Sequence, residues 1–200
     1  MKIIVVGANG TIGRAVVQAL SGRHEIVAVA RAHGQYKVNI VSHESIERLY
    51  TDVKPFDALV CAAGEARFGE LERLTDPDFQ LSLSSKLMGQ VNLVRLGLRH
   101  ATDGGSFTLT SGVLAVEPTP GSAAISLVNA GVEAFARAAA LEMPRGLRVN
   151  VVRPTWVSET LAAMGRDPSG GLPAEKVAAA YVESVEGRAN GEILDVRRFA

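Results

Sequence analysis

MKIIVVGANGTIG, residues 1–13, decides how this chain reads. The apolar run Ile3 to Val6 has the length of a short buried strand, and it stops at Gly7. Gly7, Gly10 and Gly13 then recur at an even spacing, and RAVVQAL begins an amphipathic helix. Strand, glycine turn and helix in that order make a place for a pyrophosphate. Small residues let backbone approach the phosphates, and the first helical N–H groups have no intrahelical acceptor and carry partial positive charge. The spacing is GxxGxxG rather than the GxGxxG of the usual dinucleotide fingerprint. Gly7, Asn9, Gly10, Thr11, Ile12 and Gly13 are therefore the first candidate binding residues, set against a glycine-rich turn that holds nothing.

The rest of the chain fits this opening. Residues 1–200 suit one α/β domain with a substantial core. Twenty-one basic and twenty-one acidic side chains cancel, which leaves no electrostatic case for nucleic acid or an anionic membrane surface. No apolar run approaches a membrane span, and the N-terminal run is too short for an export signal. The single cysteine, Cys61, excludes an intramolecular disulfide, and a cytoplasmic protein is expected.

Hydrophobic periodicity predicts a helix from Arg14 to about Leu20, then strands over Glu25–Arg31 and Lys37–Ile40. A helix follows within SHESIERLY, then a strand over Asp57–Gly64 and a long helix from Phe79 to His100. A fifth strand is read over Ser106–Gly112 and a second long helix over Ile125–Met143. A sixth strand spans Arg148–Pro154, a helix Pro173–Val185 and a seventh strand Gly191–Val196. Alternating strands and helices predict a mainly parallel sheet of these seven strands with helices on both faces. Ligands in such folds lie beyond the carboxyl ends of the strands.

Arg31 ends the second strand, where an acidic residue would hold ribose hydroxyls and an arginine suits a 2′-phosphate. This favours NADP, with NAD possible; the competing reading is a solvated surface arginine. Asn39, beside Ile40, could bond an adenine edge or only its own turn. Ala62, Ala63 and Gly64 are small enough to let a ribose pass. Cys61 reads as a buried, inert thiol, and the four histidines show no metal-site spacing.

GANGTIG, the strand ends CAAG and TSG, the helix leading to ALEM, and RVNVVRPTWVSET together resemble the short-chain dehydrogenase/reductase family over essentially the whole chain. The resemblance implies a three-layer Rossmann fold around that seven-stranded sheet, and hydride transfer between NAD(P) and an alcohol or carbonyl. It implies a serine after the fifth strand, a YxxxK pair in the following helix and an asparagine in the helix before. The serine matches Ser111, and the proline of the family's Pro-Gly turn matches Pro154. Thr155 replaces that glycine, with Val157 beyond it as a further cofactor contact.

The departures lie at the chemistry. Ile125 and Asn129 stand where the tyrosine and lysine belong, and Lys86 stands at the asparagine position. The literal YxxxK at Tyr50 and Lys54 lies in the wrong context and reads as chance. Three roles are open to Lys86: proton donor with Ser111 orienting a carbonyl, ligand of a cofactor ribose or water, or plain surface lysine. Asn129 could serve the same site or only pack. Arg67 could bind an anion or lie in solvent, and Trp156 could wall a pocket or close the core. An oxidoreductase with a non-standard proton donor is expected, with a non-catalytic NAD(P)-binding sensor or scaffold as the alternative. The resemblance also implies a homodimer through the two long helices.

Overall fold

The computed structural model describes residues 1–199. Its strands are β1 (Lys2–Val6), β2 (Glu25–Ala30), β3 (Tyr36–Lys37), β4 (Phe56–Cys61), β5 (Ala101–Thr110), β6 (Arg148–Arg153) and β7 (Ile193–Asp195). All seven join one parallel sheet in the order β3-β2-β1-β4-β5-β6-β7. The helices are α1 (Thr11–Ser21), α2 (His43–Val53), α3 (Asp76–Ser82), α4 (Gly89–Gly97), α5 (Ala123–Ala139), α6 (Ser158–Ala163) and α7 (Ala174–Glu186). The expected Rossmann architecture is present.

Strand alternation explains why β1 is apolar from Ile3 to Val6. Ile4 and Val6 point into the core shared with α2, α4 and α5, while Ile3 and Val5 point into the core shared with α1 and α7. Successive side chains leave a strand on opposite faces, so a strand covered on both sides needs apolar residues at every position. The sheet order reverses between β1 and β4, and this switch point opens a crevice at their carboxyl ends.

Several boundaries differ from the sequence reading. Helix α1 starts at Thr11 because Gly10 already serves as its N-cap. Strand β3 is only two residues long, and β5 begins five residues earlier than expected, with a register shift opposite Phe56 and Ala58. The helix expected over Phe79–His100 is broken: between α3 and α4, Leu83–Met88 forms a π-turn. Helix α5 stops at Ala139, and Arg145 takes a left-handed φ of 54° in the turn into β6.

Candidate active site

The glycine turn is shaped by contact, not only by flexibility. A Cβ on Gly13 would lie 2.0 Å from the Gly7 carbonyl oxygen, so only glycine lets α1 start this close to β1. Gly7 has φ +87°, and a Cβ there would meet the Ala62 carbonyl at 2.7 Å. No side chain caps α1 and no acid stands in its first turn, which leaves its amide end open to an anion. Asn9 borders the crevice beside the turn, its Nδ2 donating to the His33 carbonyl at 3.1 Å.

Two cavities meet at Ala62, Ala63 and Gly64. One, of about 310 Å³, is lined by Gly7, Gly10, Arg31, Asn39, Ile40 and Ser85, among others. Arg31 is exposed there and its Nη1 donates to Glu65 at 3.0 Å across the rim. Asn39 Oδ1 accepts from the Val41 N–H at 3.3 Å, the local turn bond foreseen as its alternative role. Ile40 is buried and packs against Gly89.

The second cavity, of about 450 Å³, is bounded by Lys86, Ser111, Asn129, Ile125, Pro154, Thr155, Trp156 and Val157. Ile12 of α1 also reaches it; Thr11 lines neither cavity. The sequence-selected catalytic candidates are thus brought to one wall system, and Trp156 does wall the pocket. Arg67 lines neither cavity and sits 3.4 Å from Asp78.

Lys86 lies inside the π-turn, half-buried over Gly64. A π-turn leaves backbone groups outside the regular ladder. Gln90 covers them: its Nε2 donates to the carbonyls of Lys86 and Thr110, both at 2.9 Å, and its Oε1 accepts from the Thr110 N–H at 2.8 Å. This clamp fixes the lysine's turn to the end of β5, one residue before Ser111. Burial pushes the Lys86 ammonium down to about 8, since an apolar surrounding disfavours its charge.

Ser111 has a partner that sequence reasoning missed. Its Oγ donates to Glu133 Oε1 at 2.9 Å. Glu133, buried on α5, is gripped by Arg153 through Nε to Oε1 at 2.8 Å and Nη2 to Oε2 at 2.7 Å. Arg153 also faces Asp195 at 3.7 Å, and Asp195 pairs with Arg197. An acid four residues after Asn129 on an apolar helix, with an arginine closing an apolar strand, was the available signal. Asn129 is buried with its Oδ1 lacking any hydrogen-bond partner. Buried polar groups normally have one, so this atom fits a pocket completed by a bound group.

None of the three tyrosines lines either cavity. Tyr50 is buried and donates to the Leu93 carbonyl, which disposes of the Tyr50/Lys54 match as a catalytic pair. Tyr181 is buried against Thr110. Cys61 is buried, donates to the Ala63 carbonyl at 3.6 Å, and has its thiol pushed up to about 11 by burial. Among the described residues no cluster of three metal-ligating side chains occurs, and no helix is long and apolar enough to cross a membrane.

A glycine turn that only glycine permits, an open helix amide end and an orphaned buried carbonyl fit a dinucleotide laid across both cavities. Comparison with known proteins places the class. Residues 4–197 match the family described as enoyl-(acyl carrier protein) reductase, within the short-chain dehydrogenases. A 3-oxoacyl-[acyl-carrier-protein] reductase of Rattus norvegicus is 30% identical over 174 residues, covering 76% of this chain and 74% of that protein. The crystal structure of lin1944 from Listeria innocua superposes with a TM-score of 0.94 at 41% identity, over 98% of this chain and 99% of that one. A small-chain dehydrogenase in complex with NADPH shares the fold, with TM-score 0.86, 24% identity and coverage of 98% and 95%.

The chain belongs to the short-chain dehydrogenase/reductase family. It is an oxidoreductase of that type, and its cofactor is a nicotinamide dinucleotide.

Proposed function

We propose that the protein interconverts a small carbonyl compound and its alcohol with NADP(H), using Lys86 in place of the missing tyrosine. The observation that carries this reading is the placement of Lys86, clamped by Gln90, in the same cavity wall as Ser111. The cofactor supplies or takes up the hydride. Gly7, Gly10 and Gly13 would hold its pyrophosphate, Arg31 its 2′-phosphate, and Ala62 to Gly64 the passage between cavities. Thr155 and Val157 would border the nicotinamide end.

Lys86 is the donor for a carbonyl oxygen: it can give a hydrogen bond and then a proton. In this reading Ser111 serves as an acceptor. Its proton is engaged by a carboxylate that can only accept, so its oxygen offers lone pairs to the cavity. It therefore suits the hydroxyl of an alcohol rather than a carbonyl oxygen. Asn129 Oδ1 supplies a further acceptor.

The preference for NADP is supported by Arg31 and by the absence of an acid at that strand end. A homodimer through α4 and α5 belongs to the same reading, supported by exposed Met88 and Leu127 on that side, as does a cytoplasmic location. The test uses Trp156, the single tryptophan, which lies in the cavity. NADPH should change its fluorescence at lower concentration than NADH. Lys86→Met should keep that binding and lose carbonyl reduction across a panel of aldehydes and ketones. Full turnover in Lys86→Met would overturn the lysine's role, and absent NADPH binding would overturn the whole reading.

A further inference from the structure

The second cavity carries charge of one sign only. Its walls are largely apolar, from Phe68, Val113, Leu114, Ile125, Trp156 and Met164. Its ionisable side chains are Lys86 and Arg166, and no Asp or Glu lines it. Arg166 comes from the excursion between β6 and α7, which is pinned at both ends. Leu172 N–H donates to the Trp156 carbonyl at 2.8 Å, and Ser158 N–H to the Leu172 carbonyl at 2.9 Å. The guanidinium carbon lies 5.1 Å from the centroid of the Trp156 ring, within cation–π range.

Arg166 has no carboxylate within ion-pair distance among the described residues, although acids flank it in sequence. Each is turned elsewhere. Asp167 accepts from the Ser169 N–H at 2.9 Å and from Ser169 Oγ at 2.7 Å. Glu159 accepts from the Ala174 N–H at 3.0 Å with both oxygens. The guanidinium is thus placed on an aromatic ring at an apolar cavity and left unneutralised. The dinucleotide phosphates do not require it, because the glycine turn lies in the other cavity and Arg166 does not line that one.

We propose that Arg166 recognises a carboxylate on the substrate, so that the substrate is an apolar oxo or hydroxy acid whose body packs against Trp156 and Phe68. This rests on the oxidoreductase reading above and adds the substrate's charge to it. A planar guanidinium with no carboxylate partner among the described residues matches the bidentate demand of a carboxylate.

The experiment measures binding to the NADP-loaded full-length protein by calorimetry, with Trp156 fluorescence as a second readout. The probes are benzoate, 4-formylbenzoate and hexanoate, each against its methyl ester, with phenyl phosphate as the competing anion. The acids should bind about tenfold more tightly than their esters. Arg166→Gln should remove that preference while leaving NADPH affinity unchanged, and Arg166→Lys should keep part of it. Equal binding of acid and ester, or no binding by any acid, overturns the proposal. So does a preference that survives Arg166→Gln and disappears in Lys86→Met, or phenyl phosphate binding better than benzoate. NADPH binding is measured in the same samples, so a failed cofactor reading is distinguished from a failed carboxylate site.

Discussion

Ser111 and Glu133 are joined by a 2.9 Å hydrogen bond in which the serine hydroxyl donates to a buried carboxylate. The carboxylate is at the same time held by two guanidinium N–H groups of Arg153. Serine, acid and arginine form one hydrogen-bonded unit behind the cavity, and its charge balance rests on the Glu133–Arg153 pair.

Glu133→Ala should be strongly destabilising. It leaves the Arg153 guanidinium without its main partner in a mostly buried place, a loss of about 3–5 kcal/mol for a broken buried pair. Urea denaturation of the variant checks this. Glu133→Gln, which keeps size and one acceptor, should cost less, and a loss for Glu133→Ala below about 1 kcal/mol would contradict the picture.

Activity should show a pH limb with Lys86 as the proton donor. With its ammonium pushed down to about 8, the proton-bearing form is present below that pH and disappears above it. Carbonyl reduction should therefore fall as pH rises through about 8, and alcohol oxidation should rise over the same range. Lys86→Arg, which stays charged throughout, should move the limb out of the measurable range. An unchanged limb in that variant would assign it to another group.

Gly13→Ala tests the steric basis of the glycine turn. A methyl group 2.0 Å from the Gly7 carbonyl cannot be accommodated without moving α1 from β1. Overpacking of this kind costs about 1–3 kcal/mol. NADPH affinity should fall along with the thermal midpoint. At Gly22 a Cβ meets nothing within 4 Å, so Gly22→Ala is a suitable control with little effect on binding.

The Arg31–Glu65 pair predicts an unusual gain. Glu65 occupies the guanidinium that a 2′-phosphate would need. Glu65→Gln should strengthen NADPH binding by about two- to fivefold, the scale of an exposed ion pair, with NADH nearly unaffected. Arg31→Ala should reduce the preference for NADPH. Equal responses of the two cofactors would remove Arg31 from the phosphate site.

The sequence was most readable where sterics or alternation leave one solution. Gly7 and Gly13 are required by carbonyl contacts that any such turn makes, and the unbroken apolar run Ile3–Val6 announces a strand buried on two faces. The π-turn was not readable, because the spacing of Leu87, Val91, Val94 and Leu98 continues a helical stripe through it. Its trace is the side chain of Gln90, which supplies bonds to Lys86 and Thr110 that the backbone does not. Glu133 was passed over because an acid on a helix is ordinarily solvated. Only the packing of α5 against β6 turns it inward, toward Arg153. Arg166 was hidden for a related reason: its meaning lies in where Asp167 and Glu159 point, which neighbours in sequence do not disclose.

The chain of charges behind Ser111 runs through Glu133 and Arg153 to Asp195, on the outermost strand of the sheet. These groups emerge from the ribosome in the order serine, acid, arginine, aspartate. Glu133 and Arg153 can pair once β6 is made, but the arginine gains its second anion only when β7 adds to the sheet edge. The support behind Ser111 therefore draws on the last strand of the sheet, far along the chain from the glycine turn that begins the fold.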